Sequence, residues 1–555
     1  MPRAFCTFLL ACIAMAQIRQ APPPSHGTGG TGGIEGIVSD ATSHAPLKKV
    51  RVTLSGAVAV TPAAVTGDDG RFAFRELAAG SYWLQASKTG YNLPQQAIFA
   101  DQANTGLVLG DGEERKGVEI ALAPSGAISG RVVSEEDVPI RGCNVTALQP
   151  GYEQDLRNPN VGVAGAASTN EKGEYRIIDL TPSRYYVFAH CQVVLPAAHP
   201  LLPRDDPRTP HETYLPRFYG GGLDPATATR LTVVAGDTLE SLDFRVTRVP
   251  AFTLRGSIAG GDSQMLAAGI SVILLPASRQ LRGLMQANVS ANPQTRKFQI
   301  QPVIPGLYLL YAFSMREGRV FAAQRTLEIR AAQPDPLEIS LQSGAELKGS
   351  VQFDSDDHPP LENGQVSLAP VDGPFFLPQS QAQTDKDGAF TLTGVLPGRW
   401  RLVVSAPGFV KSASFGDQPV SPDGFQIAEG AAGPLRIMLG SKLAAVHVQV
   451  AGAAPDRQLS AVIFPEDSER LGAGLERAGT AMGTGRIEFG GLAPGRYRVF
   501  AIDSPNPWPI LQRPDWLKAL ESSSAAIDVP EGGSVNTTVE TIPRDELMRA
   551  LAENE

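Results

Sequence analysis

The sequence predicts an all-β protein, built as a tandem array of about five β-sandwich domains. Three observations lead to this fold class: a spacing pattern that recurs five times, short alternating strands around it, and abundant turn residues. The 57 glycines and 45 prolines together make up about 18% of the 555 residues, against about 12% in average proteins. The hydrophobic fraction, 42%, is close to that of globular chains. This composition favours turn-rich β domains over disorder.

Apolar and aromatic residues recur at fixed sequence offsets from five starting residues, which are called origins below. Each set has an origin, apolar residues two, four and seven positions later, a small residue at position ten and an aromatic residue at position twelve. The sets are Gly70, Phe72, Phe74, Leu77, Gly80 and Tyr82; Gly173, Tyr175, Ile177, Leu180, Ser183 and Tyr185; Arg296, Phe298, Ile300, Val303, Gly306 and Tyr308; Gly388, Phe390, Leu392, Val395, Gly398 and Trp400; and Gly485, Ile487, Phe489, Leu492, Gly495 and Tyr497. The origins lie 92 to 123 residues apart, so each period has the size of a whole domain.

Each repeat follows one order of elements. Offsets two and four alternate along a strand with one buried face, offset ten is a turn, and offset twelve begins the next inward-facing strand. In the first repeat, alternating runs at 34–38 and 50–54 precede this unit, and another at 117–122 closes it. About seven short strands per repeat, with almost no helical periodicity, predict a sandwich.

The motifs of the first repeat resemble a known family. Thr66-x-Asp68-Asp69-Gly70-x-Phe72, Leu77-x-x-Gly80-x-Tyr82 and Lys88-x-Gly90-Tyr91 are similar to the carboxypeptidase regulatory-like domain. The resemblance covers 34–123 and 345–440 best. It is weaker elsewhere, and in the third repeat Arg296 replaces the turn glycine. It implies transthyretin- or immunoglobulin-like sandwiches of the Cna-B type, grouped with carbohydrate-binding-like folds, and it concerns the accessory domain rather than the zinc peptidase.

The expected domain limits follow from the repeats. They are a signal peptide at 1–16, a Pro- and Gly-rich leader at 17–33, sandwiches at 34–123, 126–248, 251–342, 345–440 and 442–541, and a short C-terminal helix at 542–555. The second and fifth sandwiches carry insertions.

The N-terminus predicts export. An apolar run follows Arg3 and ends in Ala14-Met15-Ala16, the pattern of a secretory signal. The alternative is a lipobox at Leu9-Leu10-Ala11-Cys12, which would make Cys12 a lipid anchor. No later run is long enough for a transmembrane segment. We expect the periplasm, the outer-membrane surface or the extracellular medium.

Two cysteines, Cys143 and Cys191, remain after cleavage at Ala16. Both are expected to point inward by the period-two rule. Two cysteines in one exported domain favour a disulfide, and the alternative is a pair of buried thiols.

Six aromatic residues are candidate ligand contacts. Trp83 follows the inward Tyr82 and is expected to face outward; the alternative to a ligand contact there is the neighbouring sandwich, because the linker at 123–126 is short. The other five lie on the Pro- and Gly-rich insertions, where aromatic rings stack on sugars or anchor a protein partner. Alternatively, these five cover the open end of their own sandwich. The six candidates are Trp83, Tyr214, Phe218, Tyr219, Trp508 and Trp516.

The sequence predicts neither an enzyme nor a nucleic-acid-binding protein. It has no H-E-x-x-H zinc motif, no G-x-S-x-G elbow and no phosphate-binding loop, so we expect no catalytic residues, metal or cofactor. With a net charge of −9, the protein is acidic, whereas nucleic-acid-binding proteins are typically basic. Two functions stay open. One is binding of carbohydrate or an envelope polymer at the bacterial cell envelope; the other is a structural or protein-interaction scaffold, including an accessory role in outer-membrane transport.

Overall fold

The computed structural model describes most of the chain from residue 31 onwards. The described ranges are 31–56, 61–93, 106–149, 162–192, 195–196, 211–260, 269–316, 319–330, 336–356, 358–371, 380–422, 424–428, 433–452, 458–467, 475–482, 485–504, 507–511 and 514–553. The predicted signal peptide, Cys12 and nearly all of the leader lie outside these ranges.

Sandwich 1 consists of two four-stranded sheets. Its strands are β1 (Gly32–Asp40), β2 (Arg51–Gly56), β3 (Ala63–Val65), β4 (Arg71–Leu77), β5 (Gly80–Ser87), β6 (Tyr91–Asn92), β7 (Gly106–Leu109) and β8 (Glu114–Pro124). The sheet orders are β4-β1-β8-β6 and β3-β2-β5-β7. Its core lies between them, since β4 and β5 bury every second residue.

Sandwich 2 has the same plan with extra short strands. They are β9 (Gly126–Ser134), β10 (Asn144–Leu148), β11 (Val163–Ser168), β12 (Glu174–Leu180), β13 (Ser183–His190), β14 (Leu195–Pro196), β15 (His211–Tyr214), β16 (Arg217–Phe218), β17 (Leu231–Val233), β18 (Thr238–Leu239) and β19 (Phe244–Val246), with a 3₁₀ turn at Pro225–Thr227. One sheet runs β11-β10-β13-β16 with β17 on β13, and the other runs β12-β9-β18 with β19 on β9.

In sandwich 3 the two layers are joined at one edge. The strands are β20 (Arg248–Gly260), β21 (Ile270–Pro276), β22 (Ala287–Ala291), β23 (Lys297–Val303), β24 (Gly306–Arg316), β25 (Arg319–Ile329) and β26 (Leu337–Ser343), with a 3₁₀ turn at Arg279–Leu281. The sheet order is β14-β15-β20-β26-β25-β24-β21-β22, with β23 on β20.

Sandwich 4 again has two separate sheets. The strands are β27 (Ala345–Phe353), β28 (Gln365–Pro370), β29 (Ser380–Gln383), β30 (Ala389–Val395), β31 (Gly398–Ser405), β32 (Phe409–Phe415), β33 (Gln418–Pro419), β34 (Phe425–Ile427) and β35 (Leu435–Gly440). The orders are β30-β27-β35-β32-β33 and β29-β28-β31-β34.

Sandwich 5 carries short helices as well as strands. Its elements are β36 (Ala444–Ala451), β37 (Gln458–Pro465), β38 (Arg477–Met482), β39 (Arg486–Leu492), β40 (Gly495–Ile502), α1 (Trp508–Leu511), α2 (Pro514–Ala519), β41 (Ala525–Val529), β42 (Ser534–Ile542) and α3 (Arg544–Glu553). The sheet order is β38-β37-β40-β42-β36-β39, with β41 on β40. The predicted all-β class with about five sandwiches is confirmed. In the described part of the chain, no helix has the length and apolar character needed to cross a membrane.

The first strand of every sandwich pairs in parallel with a strand at the end of that sandwich. The pairs are β1 with β8, β9 with β19, β20 with β26, β27 with β35 and β36 with β42. Each first strand also pairs antiparallel with one strand of its own sandwich, namely β4, β12, β23, β30 and β39 in chain order. The two ends of each sandwich are therefore held side by side.

The residue at offset twelve closes the same hydrogen bond in all five sandwiches. Its ring is buried, and its polar atom donates to the carbonyl oxygen four residues earlier, over 2.5–3.0 Å. The donor–acceptor pairs are Tyr82 to Ala78, Tyr185 to Thr181, Tyr308 to Ile304, Trp400 to Leu396 and Tyr497 to Ala493. Burial raises the pKa of Tyr308 to about 12, and since even an unshifted tyrosine is protonated at neutral pH, its hydroxyl is a donor there. This bond satisfies a buried polar group that would otherwise cost about 1–3 kcal/mol.

The repeat origins take a left-handed backbone conformation. Gly70, Gly173, Gly388 and Gly485 have φ between 64° and 77°, and Arg296 has φ of 56°. Glycine adopts this conformation without a steric penalty. Arg296 keeps the turn geometry at a cost of about 1 kcal/mol, so the hairpin survives loss of the glycine.

Polar contacts join sandwich 1 to 2 and sandwich 4 to 5. Between 1 and 2, the Asn92 amide donates to the Asp179 carbonyl oxygen (2.6 Å). Between 4 and 5, the Lys411 ammonium, which is 2.7 Å from the Asp354 carboxylate of its own sandwich, lies 3.9 Å from the carboxylate of Glu531. The Asn92–Asp179 bond is exposed, and the side chains of Lys411 and Glu531 are 46% and 40% exposed, so both contacts between sandwiches are weak.

Backbone and side chains together join sandwich 2 to 3. Strand β15, from the insertion of sandwich 2, pairs antiparallel with β20 of sandwich 3. Phe188 and Phe218 pack with Leu281 of sandwich 3 in one buried cluster. His190 donates from Nδ1 to the carbonyl oxygen of Leu284 (3.2 Å), and burial lowers the pKa of His190.

Candidate functional site

The aromatic residues of the first insertion are mostly buried. Phe218 is fully buried, with its ring 4.8 Å from that of Phe188, and Tyr214 is 6% exposed. Tyr219 is half-buried and meets Phe244 edge-on at 5.7 Å. Three of the six candidates therefore have packing contacts, and Tyr214 and Phe218 offer no ring face to a ligand. Phe218 covers the apolar outer face of β13 beside Phe188, whereas Tyr214 and Tyr219 pack against the inner core of sandwich 2.

The two tryptophans of the second insertion differ in solvent exposure. Trp516, on α2, is 4% exposed within a cluster that includes Phe464, Phe500 and Leu547. The outer faces of β37 and β40 are apolar, and the three helices cover them. Trp508, on α1, is 56% exposed. Trp516 therefore has the covering role, and Trp508 stays a candidate contact.

Trp83 lies on β5 and is 46% exposed. Its neighbour Tyr82 points into the core, so the period-two rule gave the correct direction for both. Of the six predicted contacts, the exposed ones, Trp83 and Trp508, lie in sandwiches 1 and 5 and do not form one site.

Cys143 and Cys191 form a disulfide. Both lie in the core of sandwich 2, and the bridge closes a loop of 48 residues in sequence separation. The structure thus selects the disulfide over the two buried thiols. Among the residues that the structure describes, no three metal-ligating side chains cluster.

Sandwiches 3 and 4 share one hydrophobic core. Ile273 and Tyr311 lie on the outer face of sandwich 3, yet they are only 2% and 3% exposed because they pack against Leu396 and Trp400 of sandwich 4. Val320 on β25 completes this contact. The junction is a continuation of the core of sandwich 4.

Beside this junction lies a cleft of about 330 Å³, with walls from both sandwiches. Buried Tyr311, Leu396 and Trp400 form its apolar part. Its polar lining residues are Gln324, Ser340, Gln342, Arg399 and Gln426. Such a concave site, apolar with a few polar groups and placed between domains, is typical of small-molecule sites.

The strand register places the polar groups of the cleft. Gln324 is the cross-strand partner of Tyr311, and Gln342 is the partner of Ala322. On sandwich 4, Arg399 pairs with Gln426. Cross-strand partners share one face of a sheet, so each sandwich presents its polar groups together.

Sequence reasoning did not find the cleft. A signal was present in β21, where Val272-Ile273-Leu274-Leu275 is apolar on both faces. Such a run is typical of a strand buried on both sides. It could have revealed a covered outer face on sandwich 3, although not which sandwich covers it.

The comparisons agree with the sequence motifs. Residues 33–122 and 346–439 match the carboxypeptidase regulatory-like domain family, which confirms the resemblance for sandwiches 1 and 4. No curated protein matches the chain.

Several solved structures are similar to parts of the chain. The minor pilin of the Gram-positive pathogen Streptococcus agalactiae is 12% identical, with 39% of this chain and 96% of the pilin covered and a TM-score of 0.22. A streptococcal ancillary pilin is 13% identical, with 52% and 99% covered and a TM-score of 0.21. The major pilin subunit of Bacillus cereus is 10% identical, with 57% and 99% covered and a TM-score of 0.15.

Proposed function

We propose that this chain, whose regions 33–122 and 346–439 are carboxypeptidase regulatory-like domains, is a non-catalytic scaffold of the bacterial cell envelope. The observation that carries the proposal is that contacts join every pair of consecutive sandwiches, and that sandwiches 3 and 4 share one core. Such an array holds its surfaces at a set spacing. Protein partners of the envelope would bind to it, including those of outer-membrane transport.

Export is part of the proposal. A disulfide such as Cys143–Cys191 persists in oxidising compartments and is rare in the cytosol. It agrees with the signal sequence predicted at 1–16. The periplasm, the outer-membrane surface and the medium all satisfy this requirement.

Distance measurements across the junctions test the scaffold. Spin labels on exposed positions of neighbouring sandwiches, taken in consecutive pairs, report one distance distribution per junction. The label positions are Arg71, Glu171, Lys297, Lys386 and Glu488. We expect narrow distance distributions across the junction between sandwiches 2 and 3 (junction 2–3) and across that between sandwiches 3 and 4 (junction 3–4). Broad distributions across all four would contradict a spacing role.

Partner binding needs its own experiment. Cross-linking of the full chain in envelope extracts should recover the same protein neighbour repeatedly. Recovery of nothing above background would remove the protein-interaction part of the proposal.

Binding of carbohydrate or an envelope polymer is the second candidate function. Two exposed indoles, Trp83 and Trp508, favour it, because exposed tryptophan rings stack on sugars. The double variant Trp83→Ala, Trp508→Ala should lose retention on peptidoglycan or a glycan array. The exposed residues Val65 and Val234 provide a matched control when both are changed to Ala. Equal retention by the two double variants would exclude these indoles as the contacts.

A further inference from the structure

Trp83 lies on the outer face of one sheet of sandwich 1, on the inner strand β5. It is 46% exposed, and its register partners are Ser55 on β2 and Gly106 on β7. Because Gly106 has no side chain, the indole is open on that flank. A glycine inside a strand is also typical of places where a ligand approaches the sheet closely.

The same position is covered in three of the other sandwiches. Trp83 stands thirteen residues after its repeat origin. Its counterparts are Tyr186, Leu309, Arg401 and Arg498. The Tyr186 ring meets that of Phe218 edge-on at 6.4 Å, Leu309 packs on the core shared by sandwiches 3 and 4, and Arg498 lies 3.7 Å from Glu521, just after α2. Arg401 is half-buried. Sandwich 1 therefore leaves exposed a position that the other sandwiches use for contacts.

The outer face of sandwich 1 differs in chemistry from the faces that meet polypeptide. Those faces are apolar: sandwich 3 presents Ile273 and Tyr311 to sandwich 4, and sandwich 5 presents Phe464 and Phe500 to its helices. Around Trp83, the outward neighbours on β2 and β5 carry hydroxyl or amide groups instead. They are Thr53, Ser55, Ser81 and Gln85. A ligand that fits this face needs an apolar side for the indole and hydroxyl groups at its rim, and a sugar ring has both.

The polar neighbours are placed to bond the rim of such a ring. Ser81 and Gln85 lie two residues on either side of Trp83, about 7 Å away along β5. Thr53 and Ser55 donate to the backbone carbonyl oxygens of Gln85 and Trp83, over 3.3 and 3.5 Å, so each hydroxyl oxygen is left to accept a further hydrogen bond. The exposed Gln85 amide both donates and accepts.

The charge on this face indicates the class of sugar. Among the outward residues described on β2, β3 and β5, Arg51 is the one charged side chain. Arg51 is the register partner of Ser87 and lies four residues from the row of Trp83, a distance of about 13 Å along the strand. A carboxylate or phosphate beside the indole would therefore lose hydration without gaining a counter-charge. The face favours an uncharged ligand.

We propose that this face binds an uncharged saccharide chain, with one sugar ring stacked on Trp83 and the hydroxyl groups of that ring bonded to Gln85, Ser55 and Ser81. The inference rests on the second candidate function, carbohydrate binding, and assigns that function to sandwich 1. The exposed indole of sandwich 5 lacks such a setting, because α1 consists of Trp508-Pro509-Ile510-Leu511 and has no hydroxyl or amide side chain.

Indole NMR tests the site on the full chain. The four tryptophans give four indole N–H signals in a ¹⁵N-labelled sample, and Trp→Phe variants assign them. The probes are four uncharged hexasaccharides, namely cellohexaose, chitohexaose, maltohexaose and mannohexaose, and the anionic hexagalacturonate. We expect at least one uncharged probe to shift the Trp83 signal saturably, with a Kd of about 1 mM, and hexagalacturonate to bind more weakly.

Two pairs of matched variants locate the contacts. Trp83→Ala should weaken binding at least about tenfold, whereas Trp508→Ala should leave it unchanged. Gln85→Ala should weaken binding about fivefold, whereas Gln352→Ala, at an exposed glutamine on β27, should have no effect. If Trp83→Ala fails to fold, the Trp83 signal of the unaltered chain and the pair of glutamine variants decide.

Three results would overturn the assignment and leave carbohydrate binding standing as a function. The first is a shift of the Trp508 signal with that of Trp83 unmoved. The second is binding by Trp83→Ala as tight as that of the unaltered chain. The third is hexagalacturonate binding as tight as that of the best uncharged probe. Failure of all four uncharged probes to bind would remove the assignment and the carbohydrate function together.

Discussion

Sandwich 4 meets its two neighbours in opposite ways. Against sandwich 3, its core residues Leu396 and Trp400 continue into Ile273 and Tyr311 without a polar layer. Against sandwich 5, Lys411 reaches Glu531 at 3.9 Å through solvent-exposed side chains. Burial of apolar area stabilises in proportion to that area, whereas exposed ion pairs contribute little. Sandwiches 3 and 4 should therefore behave as one cooperative unit, and sandwich 5 as a tethered neighbour.

The largest effect is expected from Ile273→Asp. This residue is 2% exposed at junction 3–4, so the change removes apolar burial and places a carboxyl group in the shared core. We expect a loss of about 4 kcal/mol or more and separate unfolding of sandwiches 3 and 4 in calorimetry. Ile178→Asp, at a position 58% exposed, is the control. A single unchanged transition in the Ile273 variant would show that the two sandwiches are not coupled through this residue.

Phe218→Ala extends the comparison to junction 2–3. Phe218 is fully buried beside Phe188 and near Leu281 of the next sandwich, so the cavity should cost about 3 kcal/mol. Chemical denaturation measures the change. Leu307→Ala, on a surface site that is 52% exposed, should stay within about 0.5 kcal/mol. Equal effects of the two would mean that the junction cluster does not stabilise the array.

His190 gives junction 2–3 a pH dependence. Burial lowers its pKa below the ordinary 6.5, so the unfolded chain binds the proton more readily. The stability contribution is fully present above pH 6.5, and is lost as the pH falls through the lowered pKa of the folded state. Unfolding midpoints measured from pH 7.5 downwards should fall more steeply for the native chain than for His190→Gln. His447→Gln, at an exposed site on β36, should keep the native slope; identical slopes in all three proteins would contradict the assignment.

The smallest effect is expected at junction 4–5. Lys411→Met removes the contacts to Asp354 and Glu531 while keeping most of the side-chain length. Lys411 and Glu531 are 46% and 40% exposed, so the pair between the sandwiches contributes little, and loss of the pair with Asp354, which is 18% exposed and lies in sandwich 4, adds a small further part. We expect a slight fall in the melting temperature, which high salt reduces because it screens the native pairs. A fall as large as that of the Ile273 variant would remove the distinction between the two junctions.

The repeat could be predicted because its positions are the residues that face the core of each sandwich. Tyr82 and its four counterparts are buried in every case, since alternation along a strand determines which face points inward. The hydrogen bond that they share could not be predicted, because it depends on a backbone turn four residues earlier.

The covered outer faces were harder to predict. Tyr214, Phe218 and Trp516 lie in segments rich in Pro and Gly, a setting that is also typical of ligand contacts. Tyr214 is buried by the inner core of sandwich 2, whereas the burial of Phe218 and Trp516 depends on apolar residues on the outer faces of β13, β37 and β40. Consecutive apolar residues such as Tyr186-Val187-Phe188 were the available sign, because they leave no polar face. The cleft needs two domains to meet, and no spacing within one repeat encodes that.

The parallel pairing of the terminal strands has a mechanical consequence. If the array is pulled from its two ends, the first strand and the closing strand of a sandwich are drawn in opposite directions along their length. The evenly spaced hydrogen bonds of such a parallel ladder then share the load, instead of breaking one after another. In sandwich 2 the Cys143–Cys191 bridge would also prevent the chain between the two cysteines, 48 residues in sequence separation, from extending under force. Fully extended, this part of the chain would span about 160 Å. Each sandwich is thus built to resist tension in shear.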